Sequence, residues 1–239
     1  YKGGVVAVNG VDIVFRKGVV TGIVGPNGAG KTSLLKALAR LVPYQGLVYI
    51  DGYEVSRRPY SFIARILSYT SDLDTPSFLS YTVYEALLLS RYPVSRGFLE
   101  TRRDYEVVDR IVGELGLEKL VDRRLNELSS GELRRVLFAM ALAREPDYLL
   151  LDEPDSHLDL GGKAEISRII RRYSSGRTIV LTTHDLLFAA NTVDYVVVME
   201  SGRVVLAGKV GEAIVNKGVL EKIYGVKIEV VWRNGRPLI

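Results

Sequence analysis

The segment from residue 25 to residue 33 constrains the fold more than any other part of the chain. Its residues, in order, are Gly25, Pro26, Asn27, Gly28, Ala29, Gly30, Lys31, Thr32 and Ser33. They match G-x-x-x-x-G-K-[ST] and lie between an apolar run at 19–24, typical of a buried strand, and a run at 34–41, typical of a helix. The glycines let backbone N–H groups point inward and the helix start adds its positive dipole end, so a polyphosphate fits there. In this phosphate loop (residues 25–33), we expect Lys31 to reach the phosphates and the Thr32 hydroxyl to hold Mg²⁺.

The composition suits one large domain, or a core with a subdomain. The chain has 239 residues and is 47% apolar, and no apolar run approaches the roughly 18 residues of a membrane span. It contains no cysteine, which excludes disulfides and thiolate metal sites in these residues and suits the cytosol. The net charge is +4 and the arginine pairs are scattered along the chain, so we expect no nucleic-acid partner. Because residue 1 is not Met, we expect native residues to precede it.

Strand-length apolar runs alternate with helical runs, which predicts an α/β fold with a mostly parallel sheet. We expect strands at 5–15, 19–24, 47–50, 66–70, 148–151, 178–182 and 195–199, and helices at 34–41, 82–91, 103–115 and 163–173. Asp51-Gly52 is a hairpin signal. Together with the first two strands, it indicates a small antiparallel β-layer.

The pattern changes between about residues 70 and 144, where no strand candidate occurs. This predicts a helical subdomain inserted into the α/β core. Its helix at 103–115 has an apolar face that consists of Tyr105, Val108, Ile111, Val112 and Leu115. We expect residues 1–70 and 140–210 to form the core, 71–139 the helical subdomain and 211–239 a C-terminal tail packed on the core.

Two acidic residues follow the apolar run at 148–151. Parallel sheets bind ligands at the carboxyl ends of their strands, where both residues would lie. We expect Asp152 to complete the Mg²⁺ shell and Glu153 to polarise a water for attack on the γ-phosphate. An acidic turn without chemistry is the alternative interpretation of this pair.

The string Leu-Ser-Ser-Gly-Glu at 128–132 predicts a helix start. Ser129 and Glu132 have the spacing of a capping box. A helix start that exposes Ser and Gly can bind a γ-phosphate. For these five residues alone, an ordinary helix cap is the better interpretation.

The order of the motifs resembles the ATP-binding-cassette (ABC) ATPases over essentially the whole chain. After the phosphate loop come the string at 128–132, Leu-Leu-Leu-Asp-Glu-Pro at 149–154 and Thr-Thr-His-Asp at 182–185. The resemblance implies a P-loop NTPase with a RecA-like core, and ATP and Mg²⁺ as ligands. It also implies that two copies of the chain sandwich ATP head to tail.

The resemblance further implies roles for single residues. The residues matching the family signature, which caps ATP bound to the other copy, are Ser129, Ser130, Gly131 and Glu132. Asp159 would close the loop at 155–159, and His184 would contact the γ-phosphate. Lys31 and Glu153 would act with His184 in catalysis. Tyr1 lies near the position where the family places an aromatic residue that stacks on adenine.

One position departs from the family pattern. After the strand at 66–70 the family has Tyr-x-Pro-Gln, whereas this chain has Tyr69-Thr70-Ser71-Asp72. Asp72 is therefore expected to face the metal as a charged acceptor that cannot donate a hydrogen bond. This loop links the nucleotide site to the transporter partner in the family, so the mode of coupling is expected to differ here.

A narrower resemblance points to the ATPases of importers for iron siderophores, haem and cobalamin. It rests on Thr-Val-Tyr-Glu at 82–85, Leu-Ser-Arg-Tyr-Pro at 89–93 and the tail at 223–231. It implies integral-membrane permease partners, indirect contact with a substrate-binding protein and a location on the cytoplasmic face of the membrane. A soluble cassette ATPase of iron–sulfur-cluster assembly, or another non-transport cassette, is the alternative.

Overall fold

The structure is a computed structural model that describes residues 6–71, 80–95, 99–233 and 236–238. The strands are β1 (Val20–Val24), β2 (Tyr49–Ile50), β3 (Tyr53–Glu54), β4 (Leu67–Thr70), β5 (Tyr148–Leu151), β6 (Thr178–Thr183), β7 (Tyr195–Glu200), β8 (Arg203–Lys209), β9 (Val231–Arg233) and β10 (Arg236–Leu238). The helices are α1 (Lys31–Leu38), α2 (Tyr60–Ile66), α3 (Val83–Ser90), α4 (Arg102–Leu115), α5 (Ser130–Ala143), α6 (Leu160–Tyr173), α7 (Leu186–Thr192), α8 (Val210–Val215) and α9 (Lys217–Tyr224). Within the described chain, no helix has the length and apolar character needed to cross a bilayer.

A six-stranded sheet forms the centre of the fold, in the order β4-β5-β6-β1-β7-β8. Neighbouring strands are parallel from β4 to β7, and β8 pairs antiparallel with β7 at the edge. All five residues of β1 are buried because the strand has a neighbour on each side and packed layers on both faces. The carboxyl ends of five parallel strands therefore meet along one edge, as expected for a nucleotide site.

Two apolar clusters cover the two faces of this sheet. Residues of β1 alternate between them: Val20 and Val24 belong to the larger cluster, and Ile23 belongs to the smaller one. Helices α3 to α7 contribute to the larger cluster, while α1 and α2 contribute to the smaller one. The predicted α/β class with a mostly parallel sheet is confirmed.

The helices between β4 and β5 follow the sequence prediction closely. In the described parts of this segment, 80–95 and 99–144, the extended pairing is limited to one bridge between Thr82 and Arg124. Capping boxes start α3 at Thr82 and α4 at Thr101. Four of the five residues predicted on the apolar face of α4 are buried, but Tyr105 is 42% exposed. Val107 is buried on this helix in addition to them.

Two details of the predicted strands are wrong. Residues 6–15 form no strand, although Asn9 N donates to the Gly202 carbonyl (2.8 Å). Their apolar side chains, including Val8, Val11 and Phe15, instead pack on the smaller cluster without ladder hydrogen bonds. Strand β1 lies between β6 and β7 in the parallel sheet, so it cannot join an antiparallel layer. Antiparallel pairing occurs in the β2–β3 hairpin that Asp51-Gly52 predicts, in the β9–β10 pair and at the β7–β8 edge.

Candidate active site

The phosphate loop connects β1 to α1 and depends on glycine at two positions. Gly25 has φ 152°, and a Cβ atom there would lie 2.2 Å from the Met199 carbonyl oxygen. Gly30 has φ 97°, and a Cβ atom would lie 2.3 Å from the Ala7 carbonyl oxygen. Larger residues would therefore push the loop away from its neighbours. Gly30 also starts α1 without a side chain that could occupy the first amide groups, which leaves the helix start open to an anion.

The other loop residues differ in exposure. Ala29 is buried against the smaller apolar cluster, and Asn27 and Gly28 are exposed. Pro26 lies half-buried before them, and Ser33 lies in the first turn of α1. The exposed tip and the buried base are consistent with a loop that closes around a ligand from the solvent side.

The Lys31 side chain folds back onto this loop. It is 4% exposed, and its Nζ donates to the carbonyl oxygens of Gly25 (2.9 Å) and Pro26 (3.1 Å). Burial lowers the pKa of Lys31, while the nearby carboxyl groups of Glu153, Asp152 and Asp155 act to raise it. Three acidic groups thus act on the Lys31 ammonium, and this excess of carboxylate suits a site that also takes a cation.

Asp152 lies at the carboxyl end of β5 and accepts three side-chain hydrogen bonds. Oδ1 accepts from Thr182 Oγ1 (2.6 Å) and from Thr32 Oγ1 (2.9 Å), and Oδ2 accepts from Tyr69 OH (3.1 Å). Thr32 and Asp152, the two described residues predicted to hold the metal, are therefore in direct contact. A hydroxyl and a carboxylate together form an all-oxygen donor set, which fits Mg²⁺.

Glu153 brings the predicted catalytic residues together. Its Oε1 lies 3.9 Å from Lys31 Nζ and 3.7 Å from His184 Nδ1. The residue has a left-handed backbone with φ 47°. Its amide donates to Thr182 Oγ1 (2.9 Å), and its carbonyl oxygen accepts from Arg134 Nη1 (3.2 Å). These bonds hold the turn so that the carboxyl group faces the phosphate loop.

His184 follows β6 and is half-exposed, with a side-chain exposure of 50%. The next residue, Asp185, caps α7 by accepting from the Phe188 amide (2.9 Å) and pairs with Lys163 (2.6 Å). These contacts hold the backbone beyond the histidine. The imidazole itself is left with access to solvent at the open side of the site.

The segment at 129–132 forms the predicted capping box. Ser129 Oγ donates to Glu132 Oε2 (2.7 Å), and the Ser129 amide donates to the same oxygen (2.8 Å). Hydrogen bonds from the Ser129 amide and hydroxyl lower the pKa of Glu132, and Arg123 lies 3.3 Å away. Ser129 and Ser130 are exposed and Gly131 is half-buried at this helix start. The two exposed serines place this helix start at the surface of the chain.

The remaining predicted residues have separate outcomes. Asp159 accepts from the Gly162 amide (2.8 Å) and is the N-cap of α6. Tyr1 and Asp72 lie outside the described residues, so their predicted contacts with adenine and metal stay predictions. Sequence reasoning missed Tyr69 and Thr182, which hold Asp152. Both lie near the carboxyl ends of strands at the same edge, which is the signal that could have identified them.

Two relatives from Bacillus subtilis (strain 168) match nearly the full chain. The petrobactin import ATP-binding protein YclP is 33% identical over 231 residues, which cover 95% of this chain and 90% of the relative. The iron(3+)-hydroxamate import ATP-binding protein FhuC is 32% identical over 240 residues, covering 98% of this chain and 88% of the relative. Both relatives are ATP-binding proteins of import systems.

Solved structures show the same fold. A nucleotide-free ATP-binding cassette from an ABC transporter has a TM-score of 0.84 and 26% identity, covering 96% of this chain and 95% of its own. A dimeric bacterial ABC transporter cassette has a TM-score of 0.78 and 25% identity, covering 88% of this chain and 94% of its own. The ABC transporter family profile matches residues 8–156. Together with the site geometry, these findings confirm the resemblance in the sequence: the chain belongs to the ABC transporter family, as an ATP-binding subunit of a kind that hydrolyses ATP.

Proposed function

We propose that this chain is the ATP-hydrolysing subunit of an importer for a metal chelate, such as an iron siderophore, haem or cobalamin. The observation that carries the proposal is the meeting of Lys31, Asp152, Glu153 and His184 at the carboxyl edge of the sheet. The import proteins YclP and FhuC support the substrate class. In this proposal, residues 1–70 and 140–210 form the nucleotide-binding core, 71–139 the helical subdomain and 211–239 the tail.

Positioning and charge stabilisation would account for the chemistry at this site. The phosphate loop would cradle the polyphosphate with its amide groups, and Lys31 would leave the loop carbonyls to neutralise phosphate charge. Glu153 would orient and deprotonate the attacking water, and His184 would contact the γ-phosphate. Thr32 and Asp152, with Asp72, would hold Mg²⁺, which supplies neutralising charge at the phosphate oxygens when bound.

Hydrolysis would be coupled to transport through a dimer. Ser129, Ser130, Gly131 and Glu132 would complete the site of a second copy, and Asp159 would lie at the same interface. The exposed helix start at Ser129 and the dimeric cassette of similar fold support this arrangement. Integral-membrane permease subunits would follow the opening and closing, and would keep the chain at the cytoplasmic face of the membrane. A substrate-binding protein would act indirectly through the permease.

The test is the variant Glu153→Gln, which keeps the size and polarity of the side chain but removes the base. We expect ATP binding within about twofold of wild type and turnover reduced by about 10²–10⁴-fold, as for a lost general base. The control is Glu106→Gln on α4, where an exposed glutamate pairs with the exposed Arg102 (2.9 Å). Wild-type turnover in Glu153→Gln would remove Glu153 from the mechanism.

A further inference from the structure

Asp155 is a buried acid beside the proposed catalytic residues that the function above does not use. It is 1% exposed, and its Oδ2 accepts from Thr183 Oγ1 (2.8 Å). Its Oδ1 is buried and has no hydrogen-bond partner among the described residues. Burial raises the pKa of Asp155, an effect that the Thr183 hydrogen bond and Lys163 oppose and Asp185 reinforces. An asparagine keeps the shape of this side chain and one oxygen that can accept from Thr183.

The Thr183 hydroxyl uses both of its hydrogen-bonding functions. It donates to Asp155 and accepts from the Asp185 amide (2.9 Å), and the residue is 0% exposed. A hydroxyl held from both sides has one orientation, so it fixes the distance between the Asp155 carboxyl and the peptide that follows His184. The bond thus joins the loop at 155–159 to the turn at 183–185.

His184 depends on this turn for its position. Its side chain is 50% exposed, so packing restrains the imidazole only in part. The backbone is held before it by β6, which ends at Thr183, and after it by the Asp185 contacts to Lys163 and Phe188. Thr183 connects these two restraints. A shift of this turn would move Nδ1 relative to Glu153 Oε1, which lies 3.7 Å away.

We propose that Asp155 and Thr183 are positioning residues that set the backbone from which His184 reaches the γ-phosphate, and that they link this histidine to the loop at 155–159. The proposal rests on the role given to His184 in the proposed function. It adds a pair of residues that act through His184 without touching the nucleotide. Asp159 ends the same loop at the start of α6. If a second copy packs against this loop, the Asp155–Thr183 bond would transmit the movement of the loop to the backbone of His184.

The first test compares Thr183→Val with Thr183→Ser. Valine keeps the shape and removes the hydroxyl, whereas serine keeps both hydrogen bonds. We expect the single-turnover rate of Thr183→Val to fall about 10- to 100-fold, as for a small misplacement of a reacting group, with ATP affinity unchanged within about twofold. Thr183→Ser and Asp155→Asn should stay within about twofold of wild type, and Asp155→Ala should resemble Thr183→Val. Equal rates for the valine and serine variants would overturn the proposal.

The second test repeats Thr183→Val in a His184→Ala background. If Thr183 acts through His184, the double variant should turn over as slowly as His184→Ala alone, within about twofold. If the fold-losses in turnover of the two single variants multiply in the double variant, Thr183 affects the reaction by another route. Thermal unfolding of each variant shows whether a lost rate reflects a lost fold.

The third readout needs no turnover. The chain has 2 histidines, His157 and His184, so their imidazole NMR signals can be assigned with a single His157→Asn variant. In nucleotide-free protein, Thr183→Val should broaden or shift the His184 signals, and Thr183→Ser should leave them in place. If His184→Ala keeps wild-type turnover, the proposed role of His184 fails, yet these spectra still decide whether Thr183 orders it. Unchanged His184 signals in Thr183→Val would contradict the positioning role.

Discussion

Hydroxyl groups orient the acidic end of the site before any ligand is bound. Asp152 accepts from Thr182, Thr32 and Tyr69, which lie on β6, α1 and β4. Each donor comes from a different element, so the carboxylate is held by the fold rather than by its own loop. Such preorganisation means that little rearrangement is needed when charge develops at the phosphate. We therefore expect loss of a hydroxyl here to affect metal use more than folding.

The variant Thr32→Val tests this expectation at the proposed metal site. Valine removes one oxygen ligand and one donor to Asp152, so the Mg²⁺ concentration for half-maximal ATPase activity should rise about tenfold or more. Thr32→Ser keeps the hydroxyl and should stay within about twofold of wild type. The measurement is a Mg²⁺ titration at fixed ATP. Superimposable curves for all three proteins would show that the Thr32 hydroxyl does not sense the metal.

Sequence motifs identify the site residues whose spacing is local. Lys31 and Thr32 follow the glycines of one loop, and Asp152 and Glu153 follow one apolar run. Local spacing does not predict the contact between Thr182 and Asp152. This contact depends on the pairing of β5 with β6, in which Leu151 lies opposite Leu181. That register is set by packing across the whole sheet, which a single sequence does not display.

Secondary-structure elements also divide into those set by local spacing, which the sequence predicts, and those that depend on a distant neighbour. The capping box at Ser129 can be predicted because its two partners are three residues apart. The strand expected at 5–15 is wrong because its alternating apolar residues pack on the smaller cluster without a strand to pair with. Periodicity predicts which face of a segment is buried. It does not predict whether a neighbouring strand is present to form backbone hydrogen bonds with the segment.

The start of α4 carries a buried ion pair that should stabilise the helical segment. Asp104 and Arg91 are 2% and 5% exposed, and their side chains are 2.6 Å apart. Arg91 also donates to the Ala143 carbonyl and lies 3.4 Å from Glu145, so it joins the end of α3 to the end of α5. Asp104→Ala would leave a buried arginine short of its main partner. We expect it to lower the free energy of unfolding by about 3 kcal/mol.

The matched control on the same helix is Glu106→Ala. Glu106 pairs with Arg102 at 2.9 Å, but their side chains are 56% and 93% exposed, so its loss should cost less than about 1 kcal/mol. Urea unfolding of both variants at pH 7 measures the difference. Similar losses for the two variants would show that burial does not strengthen the Arg91–Asp104 pair.

The same pair predicts a pH dependence. Burial by itself would raise the pKa of Asp104, but hydrogen bonds from the Thr101 amide, Arg91 and the Thr101 and Ser95 hydroxyls outweigh it and lower the pKa. The stabilisation is therefore complete above the unfolded pKa of about 3.9 and is lost as the pH falls towards the lower folded value. The stability gap between wild type and Asp104→Ala should shrink below about pH 4. A gap that stays constant in acid would contradict this.

For the molecule as a whole, the proposed site consists of two parts. The phosphate loop, Asp152, Glu153 and His184 lie together, whereas Ser129 bonds to Glu132, which also pairs with Arg123. The proposed function joins the two parts by placing the exposed helix start of one copy against the phosphate loop of a second copy. This is the central claim of the proposed function, because it makes ATP the bridge between two copies and hydrolysis the step that separates them.

Light scattering of Glu153→Gln with ATP and Mg²⁺ tests this claim most directly. We expect the molar mass to double on addition of ATP, because the bound nucleotide persists without the base. Adding Ser129→Arg should keep the protein monomeric, while its ATP affinity stays within about twofold. Ser175→Arg is the control, since this exposed residue precedes β6 at the opposite edge of the sheet. In the Glu153→Gln background, we predict a doubled mass with Ser175→Arg and a monomer with Ser129→Arg. A dimer that persists with Ser129→Arg would contradict the account.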